Sequence, residues 1–107
     1  MFGIKEVDVH GLHDLRAGNP VLLVDVRTET EVARGMIDGA VHIPLHLLPI
    51  KMEEMARDTP TVLYCHSGAR SAQACAFMAS RGFDNVFNLQ GGILAWVRSG
   101  LDLARVA

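Results

Sequence analysis

The sequence lacks the features that mark several large classes of protein. Its longest uninterrupted apolar run has six residues, 74–79, whereas a helix that spans a bilayer needs about 20. It contains no run of lysines or arginines, and its 10 basic and 12 acidic residues give a formal charge of −2. We therefore expect a cytoplasmic protein with neither a membrane nor a nucleic acid as its partner.

Cysteine is also scarce, and no stretch of the chain resembles a linker. Cys65 and Cys75 are too few for a disulfide scaffold, so in a reducing compartment each is either reactive or simply buried. The chain has 107 residues without internal repeats, which predicts one domain over residues 1–107. Hydrophobic residues make up 50% and charged residues 21%, a composition that excludes a disordered chain.

Short apolar runs alternate with helical segments along the chain. Strands are predicted over 21–26, 41–43, 61–64 and 86–89. Helices are predicted over 9–17, from Thr28 to Gly35, over 49–57, over 71–81, and from Gly91-Gly92 to Gly100. This alternation predicts an α/β domain with a mostly parallel sheet and helices on both faces. Ligands of such folds bind outside the carboxyl ends of the strands.

Two helix starts carry capping signals. Asp8 is a predicted N-cap for the first helix. Thr28 and Glu31 have the spacing of a capping box, in which each side chain bonds the main-chain amide of the other residue. Glu31 therefore has a structural explanation that needs no role in chemistry.

The segment from Cys65 to Ser71 is the strongest candidate for chemistry. A strand delivers Cys65 to the edge of the sheet, and a helix is predicted to begin within six residues. Gly68 allows the loop amides to turn inward, and these amides, with the positive end of the helix, favour an anion at the centre. Arg70 adds a positive charge. This pattern predicts that Cys65 is a nucleophile in an anion-binding loop.

Ionisation of Cys65 is the quantity on which this interpretation depends. A free thiol with a pKa of about 8.5 is only about 3% ionised at neutral pH, and a pKa roughly two units lower makes the thiolate the major form. The amides must point inward and the sulfur must be reachable from solvent. The same spacing also fits a buried, inert cysteine followed by a helix-capping loop.

Three blocks of sequence follow one another over roughly residues 22–101. The first block is Asp25-Val26-Arg27 with Glu31, Gly35, Gly39-Ala40 and Ile43-Pro44. The second is the loop Cys65–Ser71. The third is Leu89-Gln90-Gly91-Gly92-Ile93 with Ala95-Trp96 and Gly100-Leu101. In this order the blocks resemble the single-domain rhodaneses, the thiosulfate sulfurtransferase family.

This resemblance implies a three-layer α/β domain of rhodanese type, with a roughly five-stranded, mostly parallel sheet. It implies a sulfurtransferase in which Cys65 takes sulfane sulfur from a small donor such as thiosulfate, becomes a persulfide, and passes the sulfur to cyanide or to the thiol of a small molecule or partner protein. No cofactor and no metal are called for. The implied substrate-binding and persulfide-binding loop consists of His66, Ser67, Gly68, Ala69, Arg70 and Ser71.

Two other functions compete with this one. A rhodanese-like domain can be a non-catalytic sulfur carrier or protein-interaction module, although the usual sign of that, loss of the loop cysteine, is absent. Related phosphatases and arsenate reductases use a Cys-x5-Arg loop, whereas only four residues separate Cys65 from Arg70. His66 and Ser67 also make this loop less cationic than those of thiosulfate-specialised members, so the identity of the donor stays open.

The remaining candidates have structural explanations. Asp25 and Arg27 are predicted to form an ion pair near the site. His42 and His46 have metal-like spacing, but Pro44 lies between them and no third ligand is evident, so no metal site is predicted. Cys75 is predicted to be a buried small hydrophobe, with a resolving thiol as the alternative.

Overall fold

Five parallel strands form a single sheet in the computed structural model, which describes residues 4–105. The order across the sheet is β1-β5-β4-β2-β3, and every pairing is parallel. The strands are β1 (Lys5–Val7), β2 (Leu22–Asp25), β3 (Val41–His42), β4 (Thr61–Tyr64) and β5 (Val86–Leu89). The predicted α/β class with a five-stranded parallel sheet is confirmed.

Helices cover both faces of this sheet. They are α1 (Val9–Arg16), α2 (Glu29–Val32), α3 (Leu48–Lys51), α4 (Ala69–Ser80) and α5 (Gly92–Arg98), and short 3-10 turns over Leu45–Leu47 and Met52–Glu54 flank α3. No helix in the described range is both long enough and apolar enough to cross a lipid bilayer.

Two apolar clusters, one on each face, make the fold three-layered. Side chains alternate across the central strands, so that in β4 Leu63 faces the cluster that contains Met78 of α4, and Val62 faces the one that contains Ile93 and Trp96 of α5. All four residues of β4 are buried. This burial on both faces explains why the central strands are continuous apolar runs.

The predicted caps are confirmed. The Asp8 carboxylate accepts a hydrogen bond of 2.7 Å from the Gly11 amide at the start of α1. The Thr28 hydroxyl accepts from the Glu31 amide at 3.3 Å, and the Glu31 carboxylate accepts from the Thr28 amide at 3.1 Å. Both elements that start with these caps therefore begin where local sequence chemistry places them.

Two elements differ from the sequence-based expectation. Strand β1 was not predicted, because it has three residues and two of them, Lys5 and Glu6, are exposed at the edge of the sheet. The single helix predicted over 49–57 is wrong. Instead, α3 has four residues, and Met55 leaves the helical conformation, with φ −85° and ψ 140°, to pack against the core.

Candidate active site

Cys65 lies immediately after β4, the middle strand of the sheet, at its carboxyl edge. Helix α4 begins at Ala69, two residues earlier than predicted, and Gly68 is its N-cap, with φ 107°. A residue with a side chain is strained at that angle, so glycine allows the chain to turn sharply between strand and helix. The result is a loop from 65 to 71 that folds around the sulfur of Cys65.

Main-chain amides of this loop point at the sulfur. The Gly68 amide donates to Sγ of Cys65 at 3.1 Å, and the Ser71 amide, in the first turn of α4, donates at 3.5 Å. An anion at Sγ is therefore stabilised by fixed dipoles and by the positive end of a twelve-residue helix. This is the inward orientation that the sequence predicted.

A buried side-chain network supports the loop from beneath. The Ser71 hydroxyl lies 2.6 Å from Oδ1 of Asn88 and 3.4 Å from Sγ of Cys65. Since the hydroxyl carries one proton, it donates to one of these acceptors at a time, whereas the amides face the sulfur permanently. The Asn88 amide group also donates to the carbonyl of Gly68 at 3.2 Å. Asn88 thus positions both Gly68 in the turn and Ser71 in the first turn of α4.

Sequence reasoning missed Asn88, although its signal was present. It is a polar residue inside the apolar strand 86–89 and is 2% exposed. A buried amide side chain needs hydrogen-bond partners, and the cysteine loop follows β4, one of the two strands that flank β5.

The start of α5 fixes the loop from its other side. The amides of Ile93 and Leu94 donate to the carbonyls of Cys65 and His66 at 2.9 and 3.1 Å. A Cβ atom on Gly92 would lie 2.6 Å from each of those two carbonyl oxygens, closer than real Cβ atoms come. The Gly91-Gly92 pair of the sequence therefore has a physical reason, because the helix approaches the loop backbone directly.

These contacts govern the ionisation of Cys65. Burial opposes it, since the residue is only 1% exposed. Hydrogen bonds from the Ser71 hydroxyl and from the amides of Ser71, Gly68 and Ser67 outweigh burial, and the pKa of Cys65 is lowered below its ordinary value. The arrangement can therefore hold a thiolate or another sulfur anion at Sγ.

The positive charge of Arg70 that the sequence places in the loop is paired with a carboxylate. Its guanidinium forms a two-pronged pair with the Glu31 carboxylate, with N···O distances of 2.7 and 2.8 Å. The pair lowers the pKa of Glu31 to about 2, with the Thr28 capping contacts assisting. Glu31 therefore has two roles, in the capping box of α2 and as the anchor of the loop arginine.

Asp25 and Arg27 form the buried ion pair that the sequence predicted. The closest N···O distance is 2.7 Å, and the side chains are 0% and 5% exposed. Arg27 also donates to the carbonyl of Gly35 at 2.7 Å. The pair therefore connects the end of β2 to the turn after α2, next to the cysteine loop.

The other loop residues face outward. His66, Ser67 and Ala69 are exposed. His66 and Arg70 line a cavity of about 390 Å³ between α5 and the turn after α2. A second cavity, of about 480 Å³, lies on the opposite side of Arg70, against Leu45 and His46. The walls of both cavities include Arg70, but neither includes Cys65.

Residues without a predicted catalytic role have other environments. Nε2 of His42 donates to the carbonyl of Arg27 at 2.7 Å. No cluster of three potential metal ligands occurs among residues 4–105. Trp96 is 8% exposed and donates from Nε1 to the carbonyl of Asp102 at 3.0 Å. Cys75 is 1% exposed and unpaired with Cys65.

Comparison with known proteins gives one family. The family model described as a Rhodanese-like domain matches residues 8–99. A protein named Sulfurtransferase from Allochromatium vinosum is 48% identical over 101 residues, 94% of each chain. The Thiosulfate sulfurtransferase GlpE of Shewanella oneidensis is 31% identical over 90% of this chain and 95% of its own length.

Solved structures agree with this match. The crystal structure of a rhodanese-related protein from Thermoplasma volcanium superposes with a TM-score of 0.84 at 27% identity. The superposition covers 94% of this chain and 97% of that one. The cysteine loop and the first quoted block lie within residues 8–99, and so does the third block up to Trp96.

Proposed function

The chain belongs to the rhodanese-like family, and from that membership we propose that it is a sulfurtransferase in which Cys65 carries a sulfane sulfur atom as a persulfide. The observation that carries the proposal is the pair of amide hydrogen bonds from Gly68 and Ser71 to Sγ of Cys65, at 3.1 and 3.5 Å. An inert structural cysteine has no need of converging donors. The two relatives with sulfurtransferase names support the same activity.

In the first half-reaction the Cys65 thiolate attacks the outer sulfur of the donor. A bond forms between Sγ and that sulfur, and the bond to the rest of the donor breaks. With thiosulfate, sulfite leaves with the electron pair, so no outside oxidant is required. The loop amides, which already face Sγ, stabilise the attacking thiolate and the persulfide anion that replaces it.

In the second half-reaction an acceptor thiolate or cyanide attacks the outer sulfur of the persulfide. The bond between the two sulfur atoms of the persulfide breaks, and its electron pair returns to Sγ of Cys65. The acceptor leaves as a persulfide or as thiocyanate. The enzyme alternates between two covalent forms, which predicts ping-pong kinetics.

Side chains of the loop have supporting roles in this scheme. Arg70 lies beside the sulfur, and its pKa is raised chiefly by the hydrogen bonds to Glu31, so its positive charge persists at any working pH. His66 and Ser67 are exposed at the entrance and can hydrogen-bond a donor or acceptor. Cys65 itself is 1% exposed, so the sequence-based expectation that its sulfur is reachable from solvent is not met in this structure, and transfer requires the loop to open.

Thiosulfate is the donor that we propose to test first, because the relative from Shewanella oneidensis carries thiosulfate in its name. The loop of this chain has one arginine, and it is already paired with Glu31. Donors that carry less negative charge than thiosulfate are therefore the alternatives to test beside it. The reaction suits the cytoplasm, where thiols stay reduced.

Intact mass spectrometry tests the proposal. The protein is incubated with thiosulfate, with mercaptopyruvate and with inorganic polysulfide, and the expected result is one added sulfur atom on Cys65 that cyanide removes. Cys65→Ala is the matched control and should gain no cyanide-labile sulfur. Absence of added sulfur with every donor would refute sulfurtransfer and leave an interaction module. Phosphate release from a phosphatase substrate, lost in Cys65→Ala, would favour a phosphatase instead.

A further inference from the structure

The cavity on the His66 side of the cysteine loop is much larger than a small inorganic ion requires. Its volume of about 390 Å³ falls within the range of about 300–1,000 Å³ of small-molecule sites. His66, which directly follows Cys65, forms part of its wall, whereas the cavity on the other side of Arg70 has no such neighbour of the nucleophile. A substrate body larger than cyanide or thiosulfate therefore fits on the His66 side.

One wall of this cavity is aliphatic. It consists of Ile93, Leu94 and Val97 on α5, faced by Leu103. Val97 is 48% exposed, so its side chain presents apolar surface to this cavity. Contact with an alkyl chain would remove this apolar surface from water and stabilise a complex.

The charges around the cavity do not balance. Arg27 is neutralised by Asp25, and Arg70 by Glu31. Arg34, exposed after α2, also lines the wall, and within residues 4–105 it has no salt bridge. An adjoining cavity of about 490 Å³ shares Arg34 and adds Arg105. The part of the groove around Arg34 is therefore cationic.

We propose that this groove selects an acceptor thiol with an aliphatic body and an anionic group such as a carboxylate, and that Arg34 is the specificity-determining residue that binds the anion. The inference rests on the proposed function and deepens it. The thiol end lies toward His66, where its thiolate attacks the outer sulfur of the Cys65 persulfide. The chain lies along Leu94 and Val97, and the anion faces Arg34.

A matched pair of acceptors tests the inference. Persulfide is loaded onto Cys65 with inorganic polysulfide in a Cys75→Ala background, which makes the test independent of donor preference. The rate constant of sulfur loss is then measured by intact mass with mercaptohexanoate and with mercaptohexanol. The ratio of the two rate constants isolates the anion, because both acceptors have the same alkyl chain and each variant is compared with the parent protein.

Arg34→Gln should lower the ratio about fivefold, since a partly exposed ion pair contributes up to about that much in affinity. Arg34→Lys should keep most of the ratio, and high salt should lower it in the parent protein. Arg98→Gln, which removes an arginine that lines no part of the groove, should leave the ratio unchanged.

An unchanged ratio in Arg34→Gln, or an equal loss in Arg98→Gln, would overturn the inference while leaving sulfurtransfer intact. A parent protein that forms no persulfide with polysulfide or thiosulfate would overturn the proposed function, and this inference with it. The two failures are therefore separated by the loading step.

Discussion

Cys65 and Cys75 lie in the same core cluster, and each is 1% exposed. Their ionisation is nevertheless opposite. Hydrogen bonds from the loop overcome burial at Cys65 and lower its pKa, whereas burial, with the negative charges of Glu6 and Cys65 assisting, raises the pKa of Cys75 to about 12.

The difference shows that exposure to solvent does not determine the pKa of either cysteine. Cys75 lies on the inner face of α4, surrounded by apolar side chains, and there its thiol behaves as a small hydrophobe. Cys65 lies one turn before the same helix, where amides that have no partner within the helix are free to donate to it. Directed donors, rather than contact with water, separate the two sites.

Replacement of each cysteine in turn by alanine is the strongest test of this contrast. Cys65→Ala should lower sulfur transfer at least about a thousandfold, because the covalent carrier is gone. Cys75→Ala should keep the rate within about twofold and cost about 1 kcal/mol of stability for the small cavity. The checks are turnover with thiosulfate and cyanide, and urea unfolding. Equal activity loss in the two variants would erase the distinction.

The approach of α5 to the loop can be broken without touching either cysteine. Gly92→Ala places a methyl group 2.6 Å from the carbonyls of Cys65 and His66. The loop must then move, and sulfur transfer should fall about a hundredfold.

Gly100→Ala is the matched control for that change. Both glycines have positive φ, 60° at Gly92 and 84° at Gly100, but a Cβ on Gly100 has no atom within 4 Å. Gly100→Ala should lower the free energy of unfolding, measured in urea, by about 1 kcal/mol because of backbone strain, and it should retain sulfur transfer. If Gly100→Ala lost as much activity as Gly92→Ala, contact with the loop carbonyls would not be the cause.

Ser71→Ala should raise the pKa of Cys65 toward that of Cys75. Loss of the hydroxyl donor raises the pKa of Cys65, so alkylation with iodoacetamide below that pKa should slow about tenfold. At pH values above the pKa the rates of parent and variant should converge. Ser80→Ala, which removes an exposed hydroxyl at the other end of α4, is the control and should leave the profile unchanged. A parallel slowing at all pH values would mean altered access rather than altered ionisation.

The smallest effect is expected at the pair between Glu31 and Arg70. The pKa of Glu31 is about 2 in the folded chain, below its ordinary value of 4.5. The pair therefore stabilises the fold fully above about pH 4.5, and this contribution is lost as the pH falls toward about 2.

Glu31→Gln should lower the free energy of unfolding by only about 1 kcal/mol at neutral pH, because the side chains of Glu31 and Arg70 are both partly exposed. Urea unfolding across the pH range measures the difference, which should vanish in acid. Glu29 on the same helix forms no salt bridge within residues 4–105, so Glu29→Gln should cost less stability. A constant difference down to the lowest pH would contradict the ionic origin.

Local patterns predicted most of the fold. Strands β4 and β5 were placed at their observed bounds because each is a compact apolar run with a turn signal before it. Strand β1 could not be found in this way, since Lys5 and Glu6 carry no periodic signal and the strand depends on its pairing with β5. The helical conformation after α3 likewise ends at Met55, beyond the 3-10 turn Met52–Glu54, where Met55 packs against the core.

The site was predictable to the extent that it is local. Gly68, Arg70 and Ser71 follow Cys65 within six residues, so their arrangement around the sulfur follows from the strand, turn and helix that contain them. Glu31 is 39 residues from Arg70, and Asn88 is 17 from Ser71. Contacts at such separations follow from the order of the strands, and no pattern within one segment contains them.

Ultraviolet titration of thiolate absorbance in the Cys75→Ala protein tests the central claim most directly, because it reports the ionisation of Cys65 alone. The loop amides predict an inflection below the ordinary thiol pKa of 9.0, moved upward by Ser71→Ala. An inflection at or above that value in the folded protein would show that burial outweighs the donors, and that Cys65 is as inert as Cys75.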